Sequence, residues 1–240
     1  MYPKRLLIAT CALAICAGCV SAPWENETIG SEVNLVFVVE RNLLVLTSAT
    51  IEGRPGRFVF GSAQPHTVID ATFAQSLGTP PRLALQIGEK QSLGFTPMVA
   101  DLRGVGDAIL GADVWGNRAV TIDYYAGLLT YQKEGIHPES MTLYSFTGQP
   151  KINIDVDGRT VSAIVDTTSP DTLTLPRGSE SARRSTAHLR VAGVDFGTID
   201  LALGDVATAR VGNRVLSKFL VTVDYGRREV GLWRDPRTAL

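Results

Sequence analysis

Cysteine is nearly missing from this chain. Its 240 residues hold three, Cys11, Cys16 and Cys19, none beyond position 19. A folded body that follows them has no intrachain disulfide, no thiolate metal site and no cysteine nucleophile. Histidine is as scarce. His66, His137 and His188 are the full set, no two at metal-ligand spacing, so each reads as structural or exposed. No Gly-x-Ser-x-Gly elbow marks a serine hydrolase. Gly104-Val105-Gly106-Asp107 lacks the rest of a phosphate-binding motif and reads as a turn. With no cofactor or metal motif, no cofactor is expected. Excess charge is missing too: 23 Lys and Arg face 24 Asp and Glu, a formal charge of -1. Such a balance makes no field for a polyanion, so no nucleic acid partner is expected. Arg183-Arg184 and Arg227-Arg228 read as solvated loop and hairpin charges.

What is present is ordinary globular chemistry, 45% hydrophobic and 20% charged, with 23 glycines and 12 prolines scattered as turns between short strands. The N-terminus differs. Lys4 and Arg5 precede an apolar run from Leu6 to Ala17, too short to span a bilayer comfortably and suited to a secretory leader. The run ends in Cys16-Ala17-Gly18-Cys19, which resembles the lipobox of bacterial lipoproteins, with Cys16 where such signals usually carry Leu. That resemblance implies a signal peptide over 1–18, lipidation of Cys19 and a membrane-anchored chain. Val20, which is not Asp, implies the periplasmic face of the outer membrane in a Gram-negative host. Residues 19–32 are polar and read as a tether.

An internal duplication carries the most information. Gly53-Arg54 falls on Gly158-Arg159, and the same offset of 105 lays the stretch from Phe60 to Thr67 on that from Val165 to Thr172. Val120-Thr121-Ile122-Asp123-Tyr124 falls on Val221-Thr222-Val223-Asp224-Tyr225 at an offset of 101. Two landmarks in the same order imply two copies of about one hundred residues, assigned to 33–134 and 135–240. Each copy reads as strands. Val33 to Val39 and Leu43 to Ile51 hinge at Arg41-Asn42, and Asp157-Gly158 is a strong hairpin signal. Short helices are expected at Thr72–Leu77, Asp113–Asn117 and Arg214–Phe219. The predicted fold class is all-β, with two similar lobes.

The residues Gly61-Ser62-Ala63, Ile109-Leu110-Gly111 and Ile122-Asp123-Tyr124, and in the second copy Asp166-Thr167-Thr168 and Val223-Asp224-Tyr225, carry a further likeness. Their order resembles the retropepsin-like aspartic proteases, which run strand, Asp-Thr/Ser-Gly, strand, Ile-Leu-Gly, then Ile-Asp-Tyr/Phe. The resemblance covers roughly Leu43 to Trp233 and implies two tandem retropepsin-like β-barrel lobes in a bilobed, pepsin-like arrangement. In that family one Asp from each lobe shares a proton with its mate, because both cannot ionise at close range. The pair activates water against a peptide carbonyl. The middle hydroxyl of each triplet bonds across to the other lobe.

This chain departs at the decisive points. Gly61 stands at the lost Asp position, and Thr168 stands where the family has glycine. Asp166 is the sole retained catalytic candidate, with Ser62 and Thr167 as supporting hydroxyls. No Ile-Leu-Gly occurs in the second copy, where Arg214-Val215-Leu216-Ser217 is read in its place. The stretch from Glu89 to Pro97 has room for a small hairpin, not a long lid. The expected function is a catalytically degenerate, lipid-anchored envelope protein that binds an extended peptide or envelope protein between its lobes. Two alternatives stand beside it. One is an active endopeptidase pairing Asp166 from two chains of a homodimer; the other is a purely structural β-rich lipoprotein.

Overall fold

The structure is a computed structural model that describes residues 32–88, 91–178 and 185–239. The leader over 1–18, Cys19, the tether as far as Ser31, and Arg183-Arg184 lie outside the described residues. The first half contains β1 (Val33–Glu40), β2 (Leu43–Leu46), β3 (Ala49–Ile51), β4 (Arg54–Pro55), β5 (Phe58–Phe60), β6 (Val68–Asp70) and α1 (Ala71–Ser76). It continues with β7 (Leu83–Ile87), β8 (Gln91–Phe95), β9 (Met98–Ala100), β10 (Ala108–Leu110), α2 (Ala112–Trp115), β11 (Ala119–Asp123) and β12 (Leu128–Gln132). The second half contains β13 (Thr142–Ser145), β14 (Lys151–Val156), β15 (Arg159–Val165), β16 (Leu173–Pro176) and β17 (Thr186–Val191). It ends with β18 (Val194–Gly204), β19 (Ala209–Val211), α3 (Asn213–Leu216), β20 (Phe219–Asp224) and β21 (Glu229–Arg234). The fold is all-β, with three short helices among the described residues. Among the described residues no helix is long and apolar enough to cross a membrane.

Turn chemistry sets the hairpins. Arg41 and Asn42 both take positive φ between β1 and β2, as Asp157 and Gly158 do between β14 and β15. These are the backbones that a two-residue hairpin loop needs. Asp70 caps α1 by accepting from the Thr72 N–H, and this carboxyl is held below its usual range by backbone donors from Leu102 and Thr72.

The halves differ in closure. In the second, β14, β15, β19, β16, β18 and β17 form a closed barrel. The first half has no such barrel: β4, β3, β7 and β8 make a separate four-stranded sheet, and β9 ends the large sheet as a free edge. This corrects the expectation of two β-barrel lobes. The physical reason lies in β3 and β4. The chain bends at Thr47-Ser48, and Pro55, in the two-residue β4, has no N–H to extend a ladder. The β7–β8 hairpin buries Leu83, Leu85, Ile87, Leu93 and Phe95 in the core. It is an element of the core, where a small hairpin after Glu89 was expected.

The halves join through one sheet running β13-β21-β20-β11-β12-β1. At its centre β11 and β20 pair antiparallel, with Thr121 opposite Thr222 and their hydroxyls 2.9 Å apart. Residues one copy-length apart thus face each other, as an approximate two-fold axis between the strands requires. The linker crosses beneath, with the Thr222 hydroxyl donating to the Ile136 carbonyl. Covered on both faces, β20 is buried from Phe219 to Asp224. This explains why it reads as an apolar run with little alternation.

Candidate functional site at the midline

The two triplets leave equivalent strands in equivalent turns. Gly61 follows β5 and Asp166 follows β15. The Gln64 N–H closes one turn on the Gly61 carbonyl (3.2 Å), and the Ser169 N–H closes the other on the Asp166 carbonyl (3.1 Å). The Gly61 N–H donates to Leu110 and the Asp166 N–H to Val211, so β10 and β19 anchor the two turns in the same way. This fixes the correspondence between the copies: Ala209-Arg210-Val211-Gly212 matches Ala108-Ile109-Leu110-Gly111. The segment read from sequence in that place, Arg214-Val215-Leu216-Ser217, instead lies largely in α3, which starts at Asn213 and ends before Phe219. Gly111 and Gly212 are both required. A Cβ on either would collide with backbone, that of His66 in one copy and of Asp171 and Ser169 in the other.

Four buried hydrogen bonds clasp the triplets together. The Ser62 N–H donates to Thr167 Oγ1 (2.9 Å), and the Thr167 N–H to Ser62 Oγ (3.1 Å). The Ser62 hydroxyl donates to the Val165 carbonyl (2.6 Å) and the Thr167 hydroxyl to the Phe60 carbonyl (2.7 Å). Ser62 and Thr167 are essentially without solvent contact. The structure therefore brings together all four residues singled out at this site, Gly61, Ser62, Asp166 and Thr167.

The chemistry at this midline is not that of an acid pair. Asp166 is 2% exposed. Its Oδ1 accepts from the Thr168 N–H (2.9 Å) and hydroxyl (2.6 Å), and its Oδ2 from Arg210 Nη1 (2.5 Å). A carboxylate so engaged has its negative charge answered by a guanidinium and no second carboxylate to share a proton with. Sequence reasoning missed Arg210. The signal was there, since the 101 offset of the terminal hairpins lays Arg210 on Ile109. Across the axis Ile109 fills the equivalent space: a Cβ added to Gly61 would lie 2.8 Å from Ile109 Cγ2 and 3.0 Å from Gln64 Cγ. Gly61 thus faces an isoleucine, and Asp166 faces an arginine.

A second carboxylate placed at Gly61 is therefore not expected to bring about hydrolysis. Gly61→Asp with Thr168→Gly is expected to lose about 1–3 kcal/mol through crowding against Ile109, and more through loss of the Thr168 hydroxyl donor to Asp166, and to cleave no peptide. Adding Ile109→Ala is expected to recover the crowding part of that loss in urea unfolding, still without cleavage, because Arg210 keeps Asp166 occupied. Recovery of hydrolysis in the double variant contradicts this account of the midline.

Two phenols also cross between the halves. The Tyr124 hydroxyl donates to Asn213 Oδ1 (2.7 Å) and the Tyr225 hydroxyl to the Ser62 carbonyl (3.2 Å). Asn213 in turn donates to the Thr167 carbonyl (2.7 Å). Burial pushes both phenols well above the ordinary tyrosine value. A raised acid pKa contributes stability that is complete below the unfolded value, about 10, and is lost as pH climbs beyond it. The urea midpoint is expected to fall steeply above about pH 10, and less steeply in Tyr124→Phe/Tyr225→Phe. Equal slopes for the two proteins would rule this out.

Asp123 accepts from the Ala126 N–H and Arg237, and Asp224 accepts from the Arg227 N–H. His66 is exposed 4.0 Å from Asp113, and His188 lies 3.0 Å from Asp195. Both nitrogens of His137 are buried without a partner. Among the described residues no group of three His, Cys, Asp or Glu side chains is placed to hold a metal.

No protein-family model matches the chain, and a search of curated proteins finds no match. The family resemblance rests on the sequence motifs alone.

Proposed function

We propose that this is a lipid-anchored, aspartic-protease-like protein of the bacterial cell envelope that has given up hydrolysis and holds an extended peptide along the midline of its two lobes. The observation that carries the reading is the reciprocal Ser62–Thr167 clasp, flanked by Gly61 and an Arg210-bound Asp166. The clasp supports a retropepsin-like ancestry, and the occupied carboxylate supports loss of the reaction. The lipid anchor rests on the Cys16-Ala17-Gly18-Cys19 pattern.

Binding is supported by the side chains ranked across the sheets on either side. In the first half, paired positions on successive strands run Val38, Val45, Val59, Ile109, Val68 and Met98, all apolar. The ends of this row are open, Val38 at 41% and Met98 at 56%. In the second half the matching row runs Lys151, Ile164, Arg210, Thr174 and Ala202. Asp166 already answers Arg210, so Lys151 is the cation this row leaves for an acidic side chain. With the apolar row it suits a mainly hydrophobic peptide carrying an acidic residue, and the edge of β9 offers backbone groups to an added strand. The homodimeric protease reading fares poorly, since Asp166 is buried and its neighbour across the axis is already this chain's own first half.

The test is capture of synthetic ten-residue peptides by the immobilised protein. Retention of acidic–apolar sequences, weakened about tenfold or more by the exposed substitution Met98→Asp and by Ile109→Asp, is expected. No retention of any peptide, or retention indifferent to both substitutions, rejects the proposal.

A further inference from the structure

A hollow lies away from the midline, on the first half, between β8, α2 with the loop that follows it, and the end of β12. It is open to solvent and has a volume of about 500 Å³, within the range of small-molecule sites. Leu93, Val114 and the Tyr131 ring give it apolar walls, while Arg118 and Lys133 bring two cations to it. Neither cation makes an ion pair among the described residues; the Arg118 guanidinium sits over the Tyr131 ring, 5.7 Å from its centroid. The one acid in the lining, Asp113, is already engaged, accepting from the Thr67 N–H and hydroxyl at 2.7 to 3.0 Å.

The deciding feature is Trp115. It is 0% exposed, packed against Phe60 and Tyr131, and it lines the hollow. Its indole N–H is buried without an acceptor, alone among the lining side chains in leaving a buried polar group unmatched. Buried donors are nearly always paired. An unmatched donor buried in the wall, with two cations that make no ion pair among the described residues and an apolar surface beside it, suits an acceptor carrying negative charge on an apolar body.

We infer that this hollow binds a small amphipathic carboxylate. The carboxylate lies toward Arg118 and Lys133, one oxygen accepts from the Trp115 indole, and the apolar body covers Leu93 and Val114. The inference does not rest on the midline reading, since no residue of the hollow belongs to the clasp or to the Asp166–Arg210 pair.

The experiment uses the full-length chain labelled with ¹⁵N-tryptophan, which shows Trp24, Trp115 and Trp233, assigned by Trp24→Phe and Trp233→Phe. The probe is 4-phenylbutyrate, with neutral 4-phenylbutanol as its uncharged counterpart. A saturable shift of the Trp115 indole resonance with a Kd between about 10 μM and 1 mM is expected. Lys133→Gln and Arg118→Gln are each expected to weaken it about tenfold, and phenylbutanol is expected to bind at least that much more weakly. Lys133 is exposed, so its substitution leaves the fold intact. No saturable shift up to about 10 mM overturns the inference, and so does equal binding of the alcohol or indifference to both charge substitutions.

Discussion

Thr167→Val is expected to lower the unfolding free energy by about 2–5 kcal/mol. The shape of the side chain is kept, so packing does not account for the loss. What disappears is the acceptor for the Ser62 N–H and the donor to the Phe60 carbonyl, both in a region closed to water. Each buried group left unsatisfied costs roughly 1–3 kcal/mol. Ser62→Ala is expected to cost about as much, because it strands the Thr167 N–H and the Val165 carbonyl. The double variant is expected to fall short of the sum, since halves loosened by the first loss have less to lose by the second. Urea unfolding of the three proteins measures all of this. A change below about 1 kcal/mol in both single variants means that the clasp does not hold the halves together.

Arg210→Met is expected to destabilise by about 3 kcal/mol near neutral pH. The substitution keeps an apolar stem of similar length but leaves the Asp166 carboxylate buried with only Thr168 as donor. Arg210 is partly open to solvent, which holds the effect at the low end for a broken buried pair. Asp166→Asn in the Arg210→Met background is expected to recover much of the loss, because the stranded charge is then gone. Thermal unfolding of the single and double variants decides the point. An Arg210→Met protein as stable as the original means that Arg210 does not answer the Asp166 charge.

Most of the midline was legible in the sequence because symmetry writes it twice. The offset of 105 between Ser62 and Thr167 is visible before any coordinates, and it is the separation across which their hydrogen bonds form. Hairpins at Arg41-Asn42 and Asp157-Gly158 were equally plain, since few residues accept the left-handed backbone of a tight loop. The partner of Asp166 was harder to see. An arginine 44 residues away reaches it only because β19 runs parallel to β15, and that pairing is a property of topology that local pattern does not encode. Closure was hidden for a similar reason. Whether a run of strands closes into a barrel depends on edge hydrogen bonds, and the bend at Thr47-Ser48 with Pro55 beyond it opens the first half while the second closes. The ends of α2 and α3 shifted by a residue or more because these helices begin directly after Gly111 and Gly212, glycines set by close packing, with no side-chain cap to mark them.

The central claim is that a peptide meets this midline and leaves it uncut. Mass spectrometry of a peptide library incubated with the protein between about pH 3 and 8 tests it most directly, with Asp166→Asn run alongside. The account predicts intact peptides throughout, with no difference between the two proteins. Cleavage products that vanish in Asp166→Asn would show that the remaining carboxylate still works as an acid or base, and would contradict it.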